Sequence, residues 1–595
     1  MSTSTYPLTW NLDVIYEGGS ASPAFAKELQ GIERDVAELD RLASAEGSGS
    51  ADSLTAMTGL IQSILLRIRE SDSFVACLMA QNMRDTKAAG QADRVKTIMA
   101  KYDGVLTKVD SILRNMSDDA FEAWLADEAV APIAFNLRER RELAKEKLAP
   151  ELEALIGDLA VNGYHGWGEM YNTIVSRAKF TDKGKDGEVK TLSAGQMFNR
   201  LSDDDRSVRE AAFAEWERVW GEQADLCADT LNRLAGFRLN VYDNRGWKDV
   251  LKEPLQINRM SEATLNAMWD AITTDGKPAV ASYLERKAKL LGLAKLEWHD
   301  VTAPIGSASK TIPYDEACKF IVEQFGKFSS EMAEFADKAL KEGWIEAEDR
   351  PGKRPGGFCT SLPLSGQTRI FMTYSGTMDN LSTLAHELGH AYHQHVMNDM
   401  PALSQEYAMN VAETASTLAE LIVTDSALNA ATTDEEKLGL LETKLQNAVA
   451  FFMNIHARFI FEKAFYAKRR EGMVTAEELN ELMEAAQKEA YAGALGGTHP
   501  HFWASKLHFY LTDVPFYNFP YTFGYLFSMG IYARAKQEGP SFAAKYVQLL
   551  RDTGSMTVEE LAKKHLGVNL EEPDFWREAV RLAVSDVEPF LELTK

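Results

Sequence analysis

A mainly α-helical fold is predicted by three features of the 595-residue chain: apolar residues recur at helical spacing through most of its length, strand-like stretches are few and short, and no internal repeat or low-complexity tract interrupts the pattern. With 45% hydrophobic and 26% charged residues the composition is that of an ordinary globular protein, and the chain is long enough for two or more hydrophobic cores.

The elements follow in order. Residues 24–42, 53–83, 88–113 and 150–159 each repeat apolar side chains near the helical period with charged residues outward, and predict an N-terminal helical lobe over 1–200. The Gly/Ser tract at 45–50 reads as a flexible connector, and 182–187 as a hairpin turn between short strands. Helices resume after Ser202 and continue through a second domain, 201–595, broken at 303–313 and by a small β hairpin. That hairpin is read from 356–360 and 368–372, joined across Pro363 to Gln367. Its edge, carrying Gly357 and Phe358, is a candidate for pairing with an extended peptide through main-chain hydrogen bonds.

A net charge of -24 argues against nucleic acid and anionic membrane surfaces as partners, since both reward basic patches. The short basic run at 350–354 reads as a solvated loop. No run of eighteen apolar residues occurs, and the first residues show neither a basic n-region nor an apolar h-region, so a soluble cytoplasmic protein is expected. Cys77, Cys227, Cys318 and Cys359 are scattered without a C-x-x-C pair, which predicts reduced thiols; Cys359, in the hairpin, is the one singled out for reactivity.

The chemistry concentrates in His386-Glu387-Leu388-Gly389-His390. Histidines four apart lie one turn apart on a helix, where both imidazoles reach a single tetrahedral Zn²⁺. Zinc lowers the pKa of a bound water from about 15.7 towards 7, and the adjacent Glu387 carboxylate can take its proton as it attacks a carbonyl. Leu381, Leu384, Ala385, Leu388 and Ala391 form an apolar stripe, so one face packs and another carries the histidines. A catalytic zinc usually has a third protein ligand. Val396 stands where a metzincin would have its third histidine, which excludes that pattern. Downstream, 410–420 reads as a second helix with Val411, Ala415, Leu418 and Ile422 on its apolar side; it offers Glu413 as third ligand and Glu420 as a carboxylate to orient a ligand histidine.

Together with Arg369-Ile370-Phe371-Met372-Thr373-Tyr374-Ser375-Gly376-Thr377, Glu413-Thr414-Ala415-Ser416, His508-Phe509-Tyr510 and the stretch from Pro515-Phe516-Tyr517 to Pro520-Tyr521-Thr522-Phe523-Gly524-Tyr525, the motif resembles the thimet oligopeptidase and oligoendopeptidase F group of zinc metallopeptidases, on the oligoendopeptidase F side. The likeness covers the C-terminal two-thirds well and the N-terminal third more loosely. It implies one zinc per chain on His386, His390 and Glu413, with Glu387 as base. It also implies a two-lobed helical molecule enclosing a deep channel with the metal at its floor, which admits short peptides and excludes folded proteins. Oligomeric state does not follow from it.

The aromatic segment has a physical reading beside the resemblance. Addition of water to an amide makes an oxyanion, and donors aimed at it stabilise the transition state. Pro520 belongs outside a helix or in its first turn, which puts Tyr521 and Tyr525 one turn apart. His508 and Tyr525 are the foremost candidates for that donor role, and Tyr510, Tyr517 and Tyr521 for substrate binding; the plainer alternative for any one tyrosine is a core residue. An endopeptidase for short peptides is the leading function. An exopeptidase would need a cation for the terminal carboxylate, and a non-catalytic peptide or zinc binder has no use for Glu387.

Overall fold

The computed structural model describes residues 5–184, 187–305, 311–354 and 356–595. Residues 1–4, 306–310 and two residues of the predicted turn at 182–187 lie outside that description. The chain forms two compact units, each assembled from three separate stretches: Met1–Pro150, Ser309–Ala427 and Arg534–Gly567 make the first, and Glu151–Ala308, Leu428–Ala533 and Val568–Lys595 the second. This division cuts across the sequential split at residue 200.

The first unit begins with helices Pro23–Ala43, Ala51–Gln81 and Thr86–Asn115, one for each of the first three predicted segments. Each starts at a polar cap: the side chains of Ser22, Ser50 and Asp85 accept from the backbone N–H groups of Phe25, Ser53 and Ala88, satisfying donors that the helix itself leaves open. Their apolar stripes meet in one core, with Phe25, Ile32, Leu39, Ile61, Ile64, Ile98 and Val109 among its members. Leu362 and Phe371, from the hairpin far along the sequence, belong to the same core. Burying a side chain of that size contributes roughly 1.5–3 kcal/mol, so the hairpin packs with the N-terminal helices and not with its sequence neighbours alone.

Strands among the described residues are short. β1 (Phe180–Lys183) and β2 (Val189–Leu192) pair antiparallel in the second unit, on either side of the predicted turn. In the first unit β3 (Ile345–Glu346), β4 (Phe358–Leu362) and β5 (Gln367–Phe371) form a sheet in the order β3-β5-β4. The predicted hairpin is β4 and β5, antiparallel from Phe358 opposite Phe371 to Leu362 opposite Gln367. β3, which joins β5 in parallel, was not predicted, because two residues show no alternation. Glu70 of the helix Ala51–Gln81 clamps the hairpin turn: its carboxylate accepts from the backbone N–H of Leu364 (2.7 Å) and Ser365 (3.0 Å) and from the Ser365 hydroxyl (2.6 Å).

The second unit is built on the helix Arg206–Asn244, against which Ile455–Glu471 and Ala476–Ala490 pack. Helix Phe519–Glu538 starts with Pro520 in its first turn, as the sequence predicts. Among the described residues no helix is long and apolar enough to cross a membrane.

Candidate metal centre and active site

The helix carrying the motif, Met378–Met397, is capped by Thr377, whose side chain accepts from Asn380 N–H. Leu381, Leu384, Ala385, Leu388 and Ala391 are buried, as their spacing predicts, and His386 and His390 stand on a half-buried face with ring centroids 4.9 Å apart. The neighbouring helix Met409–Ala430 buries Val411, Ala415, Leu418 and Ile422. Gly389 sets the spacing of the two helices: a Cβ there would lie 2.5 Å from the Ala415 carbonyl oxygen and 2.6 Å from the Ser416 Cα, so only glycine permits this approach.

That approach brings Glu413 to the histidines. Its Oε2 lies 3.2 Å from Nε2 of His386 and 3.5 Å from Nε2 of His390, and the three residues present one ligand atom each within 4.8 Å of one another. Ser416, not singled out in the sequence, donates to the same Glu413 oxygen (2.8 Å). Nδ1 of His386 lies 3.2 Å from Oε2 of Glu420, the position predicted to orient a ligand histidine. Burial disfavours charge on His386, yet the Glu413 and Glu420 carboxylates outweigh it and push the ring up to about 10; the same histidines hold Glu413 well below the carboxylate range despite its burial. A site that holds a proton this strongly between two nitrogens and a carboxylate offers those lone pairs to a dication as well. Two imidazole nitrogens and one carboxylate are a fitting donor set for a catalytic zinc with one position left open.

Glu387 is buried beside the histidines without being part of that donor group. Burial pushes its carboxyl up, the charges of His390 and His386 pull it down, and Glu413 adds to the rise; the net shift is upward. A Cβ at the exposed Gly357 would lie 3.9 Å from Glu387 Oε1, so the hairpin backbone runs along this carboxylate. The Phe358 ring stacks on Phe371 at 5.3 Å and packs against the core of the first unit, which anchors β4 at the edge of its sheet. Arg69 ties hairpin to motif helix, donating to Ser361 Oγ and to Gln394 Oε1, both at 3.2 Å. Nothing in the local sequence marks Arg69 or Glu70, since each acts on residues some 300 positions away. Cys359 does not fit the reactive role: burial, with Glu387 nearby, raises its thiol well above the ordinary value.

The aromatic segment lies in the second unit. Tyr521 donates to the Tyr517 hydroxyl (3.0 Å), both rings are half-buried, and Tyr517 lies against the His508 ring. Tyr525 is buried and stacked on Phe451 at 4.4 Å. Tyr510 is a correction: it is fully buried, stacked on Tyr171 at 3.7 Å, and serves the core where a substrate contact was expected. Its neighbour Phe509 is buried too, and spacing alone does not tell which ring of such a run faces inward. Arg458 donates to Asn518 Oδ1 (2.7 Å), which turns that oxygen towards His508 Nδ1, also at 2.7 Å. Arg458 also stands 3.2 Å from the same Nδ1, so that nitrogen faces both a guanidinium donor and the amide oxygen. Burial drives this ring down to about 4, so it is neutral near pH 7.

Comparison with known proteins agrees with this geometry. The family profile of peptidase family M3 matches residues 200–582, and that of oligopeptidase F residues 113–180. An oligoendopeptidase F homolog of Lactococcus lactis subsp. lactis is 23% identical over 609 residues, spanning 99% of this chain and 98% of its own. Oligopeptidase PepF of Bacillus subtilis is 22% identical, spanning 95% and 84%. The crystal structure of oligoendopeptidase-F from Enterococcus faecium shares the fold, with a TM-score of 0.70 at 17% identity over 96% of this chain and 98% of that one. The chain belongs to peptidase family M3, on its oligoendopeptidase F side, and is a metalloendopeptidase.

Proposed function

We propose that this protein hydrolyses internal bonds of short, unstructured peptides in the cytoplasm, with one zinc ion per chain held by His386, His390 and Glu413 and with Glu387 as general base. The observation that carries the reading is the convergence of both histidine Nε2 atoms on one Glu413 oxygen, beside a buried carboxylate that is not in that group. Zinc held there supplies a Lewis acid that lowers the pKa of a water and polarises a carbonyl. Glu387 takes the proton from the attacking water and returns it to the leaving amine, a task suited to a carboxyl whose affinity for protons is raised by burial. Glu420 holds the His386 ring in the orientation and tautomer a ligand needs. The β4 edge at Gly357 and Phe358 takes the peptide through its main chain, which makes few demands on side chains. For stabilising the carbonyl oxygen we assign the tyrosines Tyr521, Tyr517 and Tyr525 together with His508, whose ring burial keeps neutral near pH 7. The free cysteines among the described residues suit a reducing compartment.

Arg369 does not support the exopeptidase alternative. It is buried and spends its guanidinium on the carbonyls of Thr368 (2.7 Å) and Asn11 (2.8 Å), so it has no terminal carboxylate to hold. The test compares wild type with Glu387→Gln on peptides blocked at both ends. Expected is cleavage at internal bonds by wild type, with kcat lowered roughly 10²–10⁴-fold in the variant at unchanged zinc content. Undiminished turnover by the variant sinks the mechanism, and cleavage confined to unblocked ends sinks the endopeptidase assignment.

A further inference from the structure

Burial pushes down the basicity of Lys277, Lys287, Lys353 and Lys506. The first three have acceptors that favour the charged form: Lys277 donates to the Glu489 carbonyl (3.3 Å), Lys287 to the Glu442 carboxylate (2.9 Å), and Lys353 to the carbonyls of Glu348 (2.6 Å) and Met372 (2.9 Å). Lys506 has no hydrogen bond or ion pair among the described residues, and its Nζ stands over the Phe502 ring, 5.8 Å from the centroid. It follows the short helix Phe502–Ser505 and lies half-buried in the wall of a cavity of about 750 Å³ in the second unit, where Trp216, Trp220, Trp298 and Tyr491 are other walls. Packing does not seal its Nζ from the surface.

The surroundings hold this amine neutral. No Asp or Glu lines the cavity, although the chain carries a net charge of -24. Arg458 does line it, 5.2 Å from the centroid of the same Phe502 ring, and its hydrogen bonds go to the neutral groups His508 and Asn518. Burial lowers the other basic groups of the walls, His299, His499 and His508, so all three are uncharged near pH 7. Glu217, behind His499, is engaged by that ring and by His501. An amine becomes nucleophilic through desolvation in an apolar pocket or through a neighbouring cation, since each favours the form that carries the lone pair. Both act here: burial first, and the Arg458 charge second, bring Lys506 down to about 7. Near neutral pH about half of it is free amine, whereas an ordinary lysine, with a pKa near 10.4, is free in about one molecule in 2,500. Peptide hydrolysis by a metal-activated water has no step that calls for such an amine.

We propose that Lys506 is a nucleophilic lysine that forms a reversible imine with a carbonyl compound bound in this cavity, an aromatic aldehyde or ketone that carries an anionic group. The amine lone pair adds to the carbonyl carbon and a C–N bond forms. The resulting carbinolamine then loses water, which takes away the carbonyl oxygen and both amine protons and leaves C=N. The indole walls suit a planar ring, and the uncompensated charge of Arg458 favours an anion through space, with no direct contact required.

The experiment treats the zinc-loaded full chain with 4-carboxybenzaldehyde or with benzaldehyde, traps any imine with borohydride, and locates the labelled lysines by peptide mass spectrometry. At pH 7 Lys506 should be labelled at least roughly tenfold faster than the mean of the other lysines, because its free-amine fraction is so much larger. That ratio should shrink towards pH 10, where ordinary amines also become free. The carboxylated aldehyde should have a roughly tenfold advantage at Lys506, which is what two unit charges about 12 Å apart give at an effective dielectric constant of about 20. In Lys506→Arg, which keeps the charge and the stem, the fast-labelled fraction should vanish. Labelling of Lys506 no faster than that of the other lysines, a ratio that does not fall as pH rises, equal rates with the two aldehydes, or a fast fraction that survives in Lys506→Arg overturns the proposal.

Discussion

Replacing Gly389 by alanine tests whether helix spacing, more than ligand identity, makes the metal centre. The added Cβ would meet the Ala415 oxygen at 2.5 Å, where ordinary contact begins at 3.4 Å, so the two helices must part by about 0.9 Å along that line. Both contacts are backbone atoms, which no rotamer change relieves. Glu413 sits two residues before Ala415 and moves with it, while the histidines flank Gly389 on the other helix. A carboxylate now 3.2 Å and 3.5 Å from the two Nε2 atoms is thereby displaced by nearly one ångström from the position that completes the donor set. Overpacking of this kind costs about 1–3 kcal/mol of stability. Displacement of an active-site group by about 1 Å costs roughly 10²-fold in rate, and disturbed ligand support about 10–100-fold in metal affinity. Zinc affinity by chelator competition, kcat/KM on a blocked peptide and thermal unfolding of Gly389→Ala would be measured together. Expected is a folded protein with a modestly lowered Tm and with zinc affinity and kcat/KM down by these factors. Wild-type zinc affinity and turnover within twofold would refute the spacing argument, whatever happened to Tm.

Glu413→Ala should lose zinc on dialysis, and full metal content afterwards would mean another residue is the third ligand. Tyr521→Phe is expected to lower kcat by about 10²–10³-fold with little change in KM, as for loss of one oxyanion donor. Tyr510→Phe should leave both constants near wild type, and a kcat defect there would restore the functional role that burial argues against. Burial pushes Glu462 up to about 8, although Arg238 pulls it down. The folded chain thus holds a proton that the unfolded chain, with an ordinary pKa near 4.3, has released. Stability is therefore highest below about pH 4.3 as far as this group is concerned, and falls as pH rises towards 8 by up to about 1.4 kcal/mol per pH unit. Denaturant midpoints between about pH 5 and pH 7 should flatten in Glu462→Gln; an unchanged slope would assign the dependence to other groups.

The metal centre was legible where its geometry is local. His386, Glu387 and His390 are fixed relative to one another by helix pitch, and Val411, Ala415 and Leu418 state which side of the next helix is buried. Glu413 and Glu420 could be placed because they share a face of that helix, and β4 and β5 because their pairing needs only a short turn. Long-range partners left no local trace. Arg69 and Glu70 read as ordinary residues of an N-terminal helix, and only the fold shows that they hold Ser361, Gln394 and the turn at Leu364. The role of Gly389 also has no local sign, because it depends on the neighbouring helix backbone, which leaves no room for a Cβ. Among the tyrosines, spacing put Tyr521 and Tyr525 one turn apart, but the hydroxyl that Tyr521 meets is that of Tyr517, and whether a ring faces in or out depends on what packs over it, as Tyr171 does over Tyr510.

The division of each unit among three stretches of chain has a consequence during synthesis. The unit that carries His386, His390 and Glu413 runs from residues 1–150 through 309–427 to 534–567, so a ribosome has nearly finished before its last segment emerges. The early helices must wait, with their shared core incomplete, for Leu362 and Phe371 to arrive. A chain that ends before residue 534 lacks the last stretch of the unit that holds His386, His390 and Glu413. The hydrolase is thus assembled as a unit only when its chain is nearly whole.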